Sequence, residues 1–294
     1  MFQVQAPAKG RRKVRPMKHA TAILSLMVLL LALPAPVRAA EEDWYDYSPQ
    51  ISIPLTAFGL SVWIAGEVFK KDLVPEEARW TGTNPVDDAV RDTIRWNSAH
   101  TGDADMTSNL VLGSIPVAGL AALLFSDAKG WSSPTASRAR QAGYGGLIML
   151  ESASVAMLAN QVVKFLVLRK RPYTRADDYG TMEADDHLSF YSGHTTTAFA
   201  LAVSGAMLYD MKGGNHPGAV WTAALVMATG VGYLRIAADK HYFTDVLVGA
   251  LLGAAAGYLV PKLLHQKEKE HTVNYSVMPL PSSDAWIFGI TFAL

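Results

Sequence analysis

Cysteine is missing from the chain altogether. Disulfides, thiolate catalysis and cysteine-ligated zinc or iron–sulfur centres are therefore excluded, while the compartment stays open because there is no thiol to be oxidised. Net charge is missing too, with 26 basic residues against 26 acidic ones. The field of the whole molecule offers nothing to attract a nucleic acid, so an anion site has to come from local clustering. No polar linker or break in composition divides the 294 residues, and one main body is expected.

What the chain has in quantity is apolar runs. They cover Ile51 to Phe69, Leu110 to Phe125, Gly143 to Leu168, Gly193 to Leu208, Ala219 to Ala238 and Val246 to Leu264. Lengths near the ~20 residues that cross hydrocarbon, with Gly and Ala on their faces, point to closely packed membrane helices. The fold class expected is all-α: a bundle of about six apolar helices embedded in a membrane. Val273 to Met278 and Trp286 to Leu294 alternate in β fashion around Pro279, Pro281 and Asp284, which adds a short C-terminal β-hairpin. A soluble bundle of unusually apolar helices is the rival, supported by Glu151 in mid-run, by the modest overall hydropathy and by the apolar hairpin face.

The N-terminus orders a basic cluster (Arg11, Arg12, Lys13, Arg15, Lys18), the apolar run Ala20 to Leu33 and the small-residue segment to Ala40. That order is a secretory signal with cleavage expected after Ala39; an uncleaved signal anchor is the alternative. The boundaries expected are a signal at 1–39, an exported segment at 40–106, a helical core at 107–265, and a polar linker with the hairpin at 266–294. The loop from Ser126 to Ala142 carries Lys129, Arg138 and Arg140 against Asp127, which places it in the cytoplasm by the positive-inside tendency. After an exported N-terminus this works only when Ile51 to Phe69 does not cross, so a peripheral or re-entrant helix is expected there.

Three stretches carry chemistry. In Tyr191-Ser192-Gly193-His194, a hydroxyl, a glycine and an imidazole stand at the start of an apolar helix. The free N–H groups and positive dipole end of such a helix receive an anion, glycine allows close approach, and the histidine can exchange a proton. Taken alone, a serine cap before a satisfied histidine explains it better. Lys164 and Arg171, seven apart in KFLVLRKRP, fall two turns apart on one helix face if the helix continues that far, with Pro172 to stop it. Arg169 and Lys170 read as interface anchors, and Lys164 could snorkel. In LRIAADKHYFTD, a helix opening at His241 would place Asp245 one turn on, where it can accept a proton bond from one ring nitrogen and leave the other as a nucleophile. A surface pair or part of a metal site fits the same spacing, although no third and fourth ligand lies nearby.

Together these stretches resemble the KxxxxxxRP, PSGH and SRxxxxxHxxxD motifs of the type 2 phosphatidic acid phosphatase superfamily. That superfamily includes lipid phosphate phosphatases, bacterial class A acid phosphatases and vanadium haloperoxidases. The resemblance covers roughly Leu147 to Leu264. It implies that His241 attacks phosphorus and carries a phosphohistidine, that Asp245 orients it, and that His194 protonates the leaving oxygen. It makes Lys164, Arg171, Arg235, Ser192 and the Gly193 N–H the phosphate cradle, with no metal and no cofactor. Two positions depart from the motifs: Tyr191 stands for the proline of PSGH and Leu234 for the serine of SR. Tyr191 is expected at the pocket rim. The acids Asp177, Asp178, Glu183, Asp185 and Asp186, with His187, read as a solvated loop, or as a screen that repels highly anionic substrates.

The activity expected is a metal-independent phosphatase acting on a lipid phosphate or pyrophosphate, at the periplasmic face of a bacterial inner membrane. Its partners would be that substrate and membrane lipid, with no nucleic acid. A soluble periplasmic acid phosphatase, a vanadate-dependent haloperoxidase and a non-catalytic anion-binding membrane protein are the alternatives.

Overall fold

The computed structural model describes residues 45, 47–125, 135–176, 179–266, 273–279 and 286–292, without the side chains of 135–137 or of the two strands. The signal expected at 1–39 lies outside these residues. Among the described residues seven α-helices follow in order: α1 Pro49–Leu73, α2 Pro85–Ile94, α3 Thr101–Phe125, α4 Thr135–Val167, α5 Gly193–Met211, α6 Pro217–Ala237 and α7 Phe243–Leu264. Strands β1 Val273–Pro279 and β2 Trp286–Phe292 pair antiparallel, with Val273 opposite Phe292 and Pro279 opposite Trp286.

Helix α5 is the axis, packed against α3, α4, α6 and α7, while α1 lies outside against α4. An axis enclosed on all sides has room only for small side chains, and the buried residues of α5 are mainly Ala, Ser, Thr and Gly. Its buried hydroxyls are satisfied inside the helix: Thr196 donates to Ser192 O at 2.7 Å. Helix α7 approaches so closely that a Cβ on Gly253 would stand 2.3 Å from Thr196 O, and one on Gly257 2.6 Å from Ala200 O. Backbone contact of this kind is how helices associate where lipid offers no hydrophobic gain.

The burial pattern is that of a bilayer protein. Large apolar residues such as Val117, Val226, Leu251 and Leu259 face outward, while Glu151, Ser152, Ser154, Asn160 and Gln161 are buried. Glu151, which in the sequence favours a soluble bundle, points inward and meets His265 Nε2 at 2.9 Å. Polar groups that face the bundle interior are what a membrane tolerates. Among the described residues, Pro49–Leu73, Ser98–Phe125, Arg138–Val167, Pro217–Ala237 and Phe243–Leu264 are long and apolar enough to cross. The protein is a membrane-embedded helical bundle.

Helix α1 differs from the re-entrant segment expected. It is continuous through Pro54 for 25 residues, a rise of about 37 Å. Its start lies at the end of the bundle far from the motifs, where the Tyr45 hydroxyl donates to Leu208 O and Tyr47 stacks on Tyr144 and His265. Its other end reaches the motifs, where Lys70 pairs with Asp185. The helix therefore runs the full depth of the bundle.

Candidate active site

One end of the bundle collects the C-termini of α1, α4 and α6 and the N-termini of α3, α5 and α7. Between them lies a cavity of about 560 Å³, lined by residues that include Lys164, Arg171, Gly193, His194, Arg235 and His241. That is ample for a phosphate group and part of its ester. The three sequence stretches meet here. The backbone that brings them together differs from what their spacing implies.

Helix α4 stops at Val167, where Leu168 takes a left-handed φ of 49°, so Pro172 is not what ends it. Past Leu168 the chain pairs with the segment ahead of α2. The N–H groups of Arg79 and Trp80 donate to Leu168 O at 3.1 and 3.3 Å, and Lys170 N–H donates to Trp80 O at 3.0 Å. Lys164 thus enters the site from the helix and Arg171 from the extended stretch beyond it, instead of from two turns of one helix.

Arg169 is no interface anchor. Only 1% of it is exposed, and its guanidinium lies between the rings of Trp80 and Tyr242, 4.1 Å from each centroid. One side donates to Asp87 at 2.7 Å and the other to Asp245 at 2.6 Å. A snorkelling arginine keeps its charge in water; this one is paired on both sides away from it. Asp87 comes from α2 and also accepts from Thr244 N–H at 2.8 Å, so the amphipathic helix closes the site from above.

His241 precedes α7 instead of opening it, because the helix begins at Phe243 with Tyr242 as its cap. Its Nδ1 lies 2.8 Å from Ser189 O, whereas Asp245 Oδ2 is 3.7 Å away. The ring proton is therefore donated to the Ser189 carbonyl and not to Asp245. Asp245 acts at one remove: it accepts from the Ser189 hydroxyl at 2.6 Å, from Tyr242 N–H at 3.0 Å and from Arg169. With Nδ1 protonated, Nε2 keeps its lone pair and faces Arg171 Nη1 at 3.3 Å. Burial, followed by the charges of Arg171, Arg235 and Lys164, holds the His241 imidazole well below its ordinary pKa.

At the start of α5, Ser192 is the N-cap. Its Oγ accepts from Thr195 N–H at 3.4 Å and from the Thr195 hydroxyl at 2.9 Å, so this buried oxygen is turned into the first helical turn. Gly193 lines the cavity, and a Cβ there would stand 3.1 Å from Asn160 Oδ1. His194 Nε2 lies 2.7 Å from Asn109 Oδ1; an amide oxygen only accepts, so that nitrogen carries the ring proton. Tyr191 is not at the rim. It is 1% exposed, and its carbonyl accepts from Asn160 Nδ2 at 2.7 Å.

Arg235, in the last turn of α6, donates to Asp105 and to the Ser108 hydroxyl at 2.9 Å. Both belong to the polar start of α3, which the apolar run at Leu110 does not reveal. The acidic loop is also more than a solvated connection. Asp186 and His187 are buried, and Asp186 accepts from the hydroxyls of Tyr173 and Tyr179 at 2.6 and 2.7 Å. Asp185 pairs with Arg171 at 3.0 Å and Lys70 at 3.3 Å. Partial burial raises its pKa, but the charges of Arg171, Lys70 and Lys164 outweigh that and hold the carboxyl below the ordinary range. Asp177 and Asp178 lie outside the described residues. Among the described residues no cluster of three His, Asp or Glu could hold a metal ion.

Residues 145–269 match the model of the PAP2 superfamily. The lipid A 1-phosphatase of Porphyromonas gingivalis is 26% identical over 165 residues, which cover 51% of this chain and 34% of the relative. The chain thus spans about a third of that curated relative's length. A solved structure, the transmembrane PAP2 type phosphatidylglycerolphosphate phosphatase from Bacillus subtilis, is similar with a TM-score of 0.43 at 23% identity, covering 69% of this chain and 93% of that one.

Proposed function

Residues 145–269 match the PAP2 superfamily, and from that match we propose that the chain is a member of it and a metal-independent phosphatase of a lipid phosphate, working through a phosphohistidine at the periplasmic face of a bacterial inner membrane. The observation that carries this reading is the state of His241. Its Nδ1–H is committed to Ser189 O, and its unprotonated Nε2 accepts only a long hydrogen bond, 3.3 Å, from Arg171 Nη1, which the incoming phosphate can take over. A nucleophile of this kind needs no metal, because the charge on the transferring phosphoryl group is met by Lys164, Arg171, Arg235 and the N-terminus of α5.

The reaction follows in two displacements. His194 takes up a second ring proton from solvent as the phosphate binds beside it, and returns one when the product departs. His241 Nε2 attacks phosphorus; the P–N bond forms as the ester P–O bond breaks, and the leaving oxygen takes a proton from the His194 imidazolium, which leaves that ring neutral. Water then attacks the phosphohistidine and gives its proton to His194. The P–N bond breaks, inorganic phosphate leaves, and both rings return to their starting state. Simple phosphate binding would require cations and N–H donors but no oriented imidazole with an unprotonated Nε2 facing the cavity. The lipid character of the ester rests on the cavity's position between membrane helices and on the relative's name, a lipid A 1-phosphatase.

Phosphate release from a dispersed lipid phosphate, with EDTA present, tests the reading. Release is expected to survive the chelator and to fall on the order of a thousandfold or more in His241→Ala. Release that stops with EDTA, or persists undiminished in the variant, overturns it.

The orientation rests on charge. Helix α3 ends at Phe125 and α4 starts at Thr135, both at the bundle end opposite the site, and the sequence from Ser126 to Ala142 carries Lys129, Arg138 and Arg140 against Asp127. The site end also carries basic residues, but many of them are held by carboxylates: Arg91 by Asp239, Arg169 by Asp87 and Asp245, Arg171 by Asp185, Arg175 by Asp88 and Arg235 by Asp105, so the short α3–α4 connection carries the argument. The positive-inside tendency then turns the site outward, and α1 starts from the cytoplasmic side. The side on which residue 47 lies thereby becomes a test of the export expected for the N-terminal segment.

A further inference from the structure

The cavity is charged in two tiers. Its floor holds Arg171 and Arg235, whose side chains are 7% and 4% exposed, together with Lys164. Its rim carries Glu67, Asp105 and Asp185, exposed to 37%, 33% and 42%, with Lys240 beside Asp105 and with Lys70 paired to Glu67 and Asp185 from just outside the lining. The carboxylates are not scattered over the surface. Asp185 sits on Arg171 and Lys70, Asp105 on Arg235 and 3.8 Å from Lys240, and Glu67 3.1 Å from Lys70. Each floor arginine thus already has a carboxylate partner that leans over it from the mouth.

Resting on the phosphatase reading above, we infer that Asp105 and Asp185 are specificity residues that set this site for the phosphomonoester dianion and against diphosphates. The floor offers three positive charges, from Lys164, Arg171 and Arg235, to the first phosphate. The rim, with three carboxylates set against Lys240 and the neighbouring Lys70, is negative by one. A phosphomonoester brings close to two negative charges near neutral pH, all of which can settle on the floor. A diphosphate brings about one more, and that second group has to stand outward of the first, among the rim carboxylates. Like charges at such distances in a half-desolvated cleft oppose each other strongly. The same carboxylates compete with phosphate for the arginines, so they also loosen the hold on inorganic phosphate, the product.

This sets a sign that a purely structural role does not share: removing the acids strengthens anion binding. The test compares binding of inorganic phosphate and pyrophosphate by titration calorimetry on the detergent-solubilised full chain, in wild type, Asp105→Asn and Asp185→Asn. Asparagine keeps the size and the hydrogen-bonding oxygen, and monodisperse, cooperatively melting protein is required of each variant. Wild type is expected to favour phosphate over pyrophosphate, and each variant to bind pyrophosphate on the order of tenfold more tightly, with a smaller gain for phosphate. Turnover is read alongside, with a lipid monophosphate and a lipid diphosphate. Equal binding of the two anions by wild type, or variants that weaken both or leave the ratio unmoved, overturns the inference while the phosphatase reading stands. Selective binding without turnover of either lipid removes the phosphatase reading and leaves the selectivity. Binding of neither anion overturns both.

Discussion

His241 and Arg169 show how far a side chain's role depends on its surroundings. Because burial and three cations depress the His241 pKa, the ring stays neutral as the pH falls through its ordinary 6.5, and the nucleophile is lost only well below that. The pH profile of kcat/KM, corrected for the substrate's own ionisation near pH 6, is therefore expected to stay level through this range; an acid limb centred at 6.5 would contradict it. Arg169 touches neither the reacting atoms nor the cavity lining. It holds Asp245, and through Ser189 it holds His241, the proposed nucleophile. Arg169→Lys keeps the charge but cannot bridge Asp87 and Asp245 together, and is expected to lower kcat about tenfold with little change in KM. Arg169→Ala leaves two buried carboxylates without their shared cation, a loss of about 3–5 kcal/mol that should show as a failure to fold. Equal kcat in Arg169→Lys and wild type would remove the positioning role.

At the scale of elements, the site depends on how closely α7 lies against α5, since one carries His194 and the other follows directly from His241. Gly253 is where that spacing is tightest, with backbone oxygen 2.3 Å from a would-be Cβ. Gly253→Ala is expected to destabilise the detergent-solubilised protein by about 1–3 kcal/mol and to lower turnover with it, read as a melting temperature and a kcat from the same preparation. Unchanged melting would mean that the helices can part without cost. Helix α2 works from the other side. Arg91 pairs with Asp239 through bonds of 2.6 and 2.7 Å, and Trp96 N–H donates to Ala237 O at 3.0 Å, so a short amphipathic helix holds the α6–α7 junction that presents His241.

For the whole molecule, orientation is the open physical question, and the missing cysteines make it easy to approach. Single cysteines introduced at Ser48 and Gly82 have no native thiol to compete with them. Gly82 sits beside the site with nothing within 4 Å of a would-be Cβ, and Ser48 at the opposite end. With the site turned outward, an impermeant maleimide added to spheroplasts is expected to label the Gly82→Cys protein and spare Ser48→Cys until the cells are opened. The reverse pattern would turn the site to the cytoplasm. Labelling of both from outside would detach the bundle from the membrane.

The motifs, the helical class and the terminal hairpin were legible in the sequence because each is a local pattern: spaced cations, a hydroxyl-glycine-imidazole run before a helix, apolar runs near membrane length, alternation around prolines. What the sequence could not decide are the contacts between stretches far apart. Asp87, Asp105 and Asn109 lie on polar starts of helices and look like solvated residues until α2 and α3 fold over the site. Arg169 looks like an anchor until Trp80 and Tyr242 enclose it. The Ser189 carbonyl, and not Asp245, accepts the hydrogen bond from His241 Nδ1–H because the loop ahead of α5 passes 2.8 Å from the ring, a distance that no spacing in the chain encodes. Local chemistry is written in neighbouring residues; the pairing of a charge or a proton is settled only by what tertiary packing places beside it.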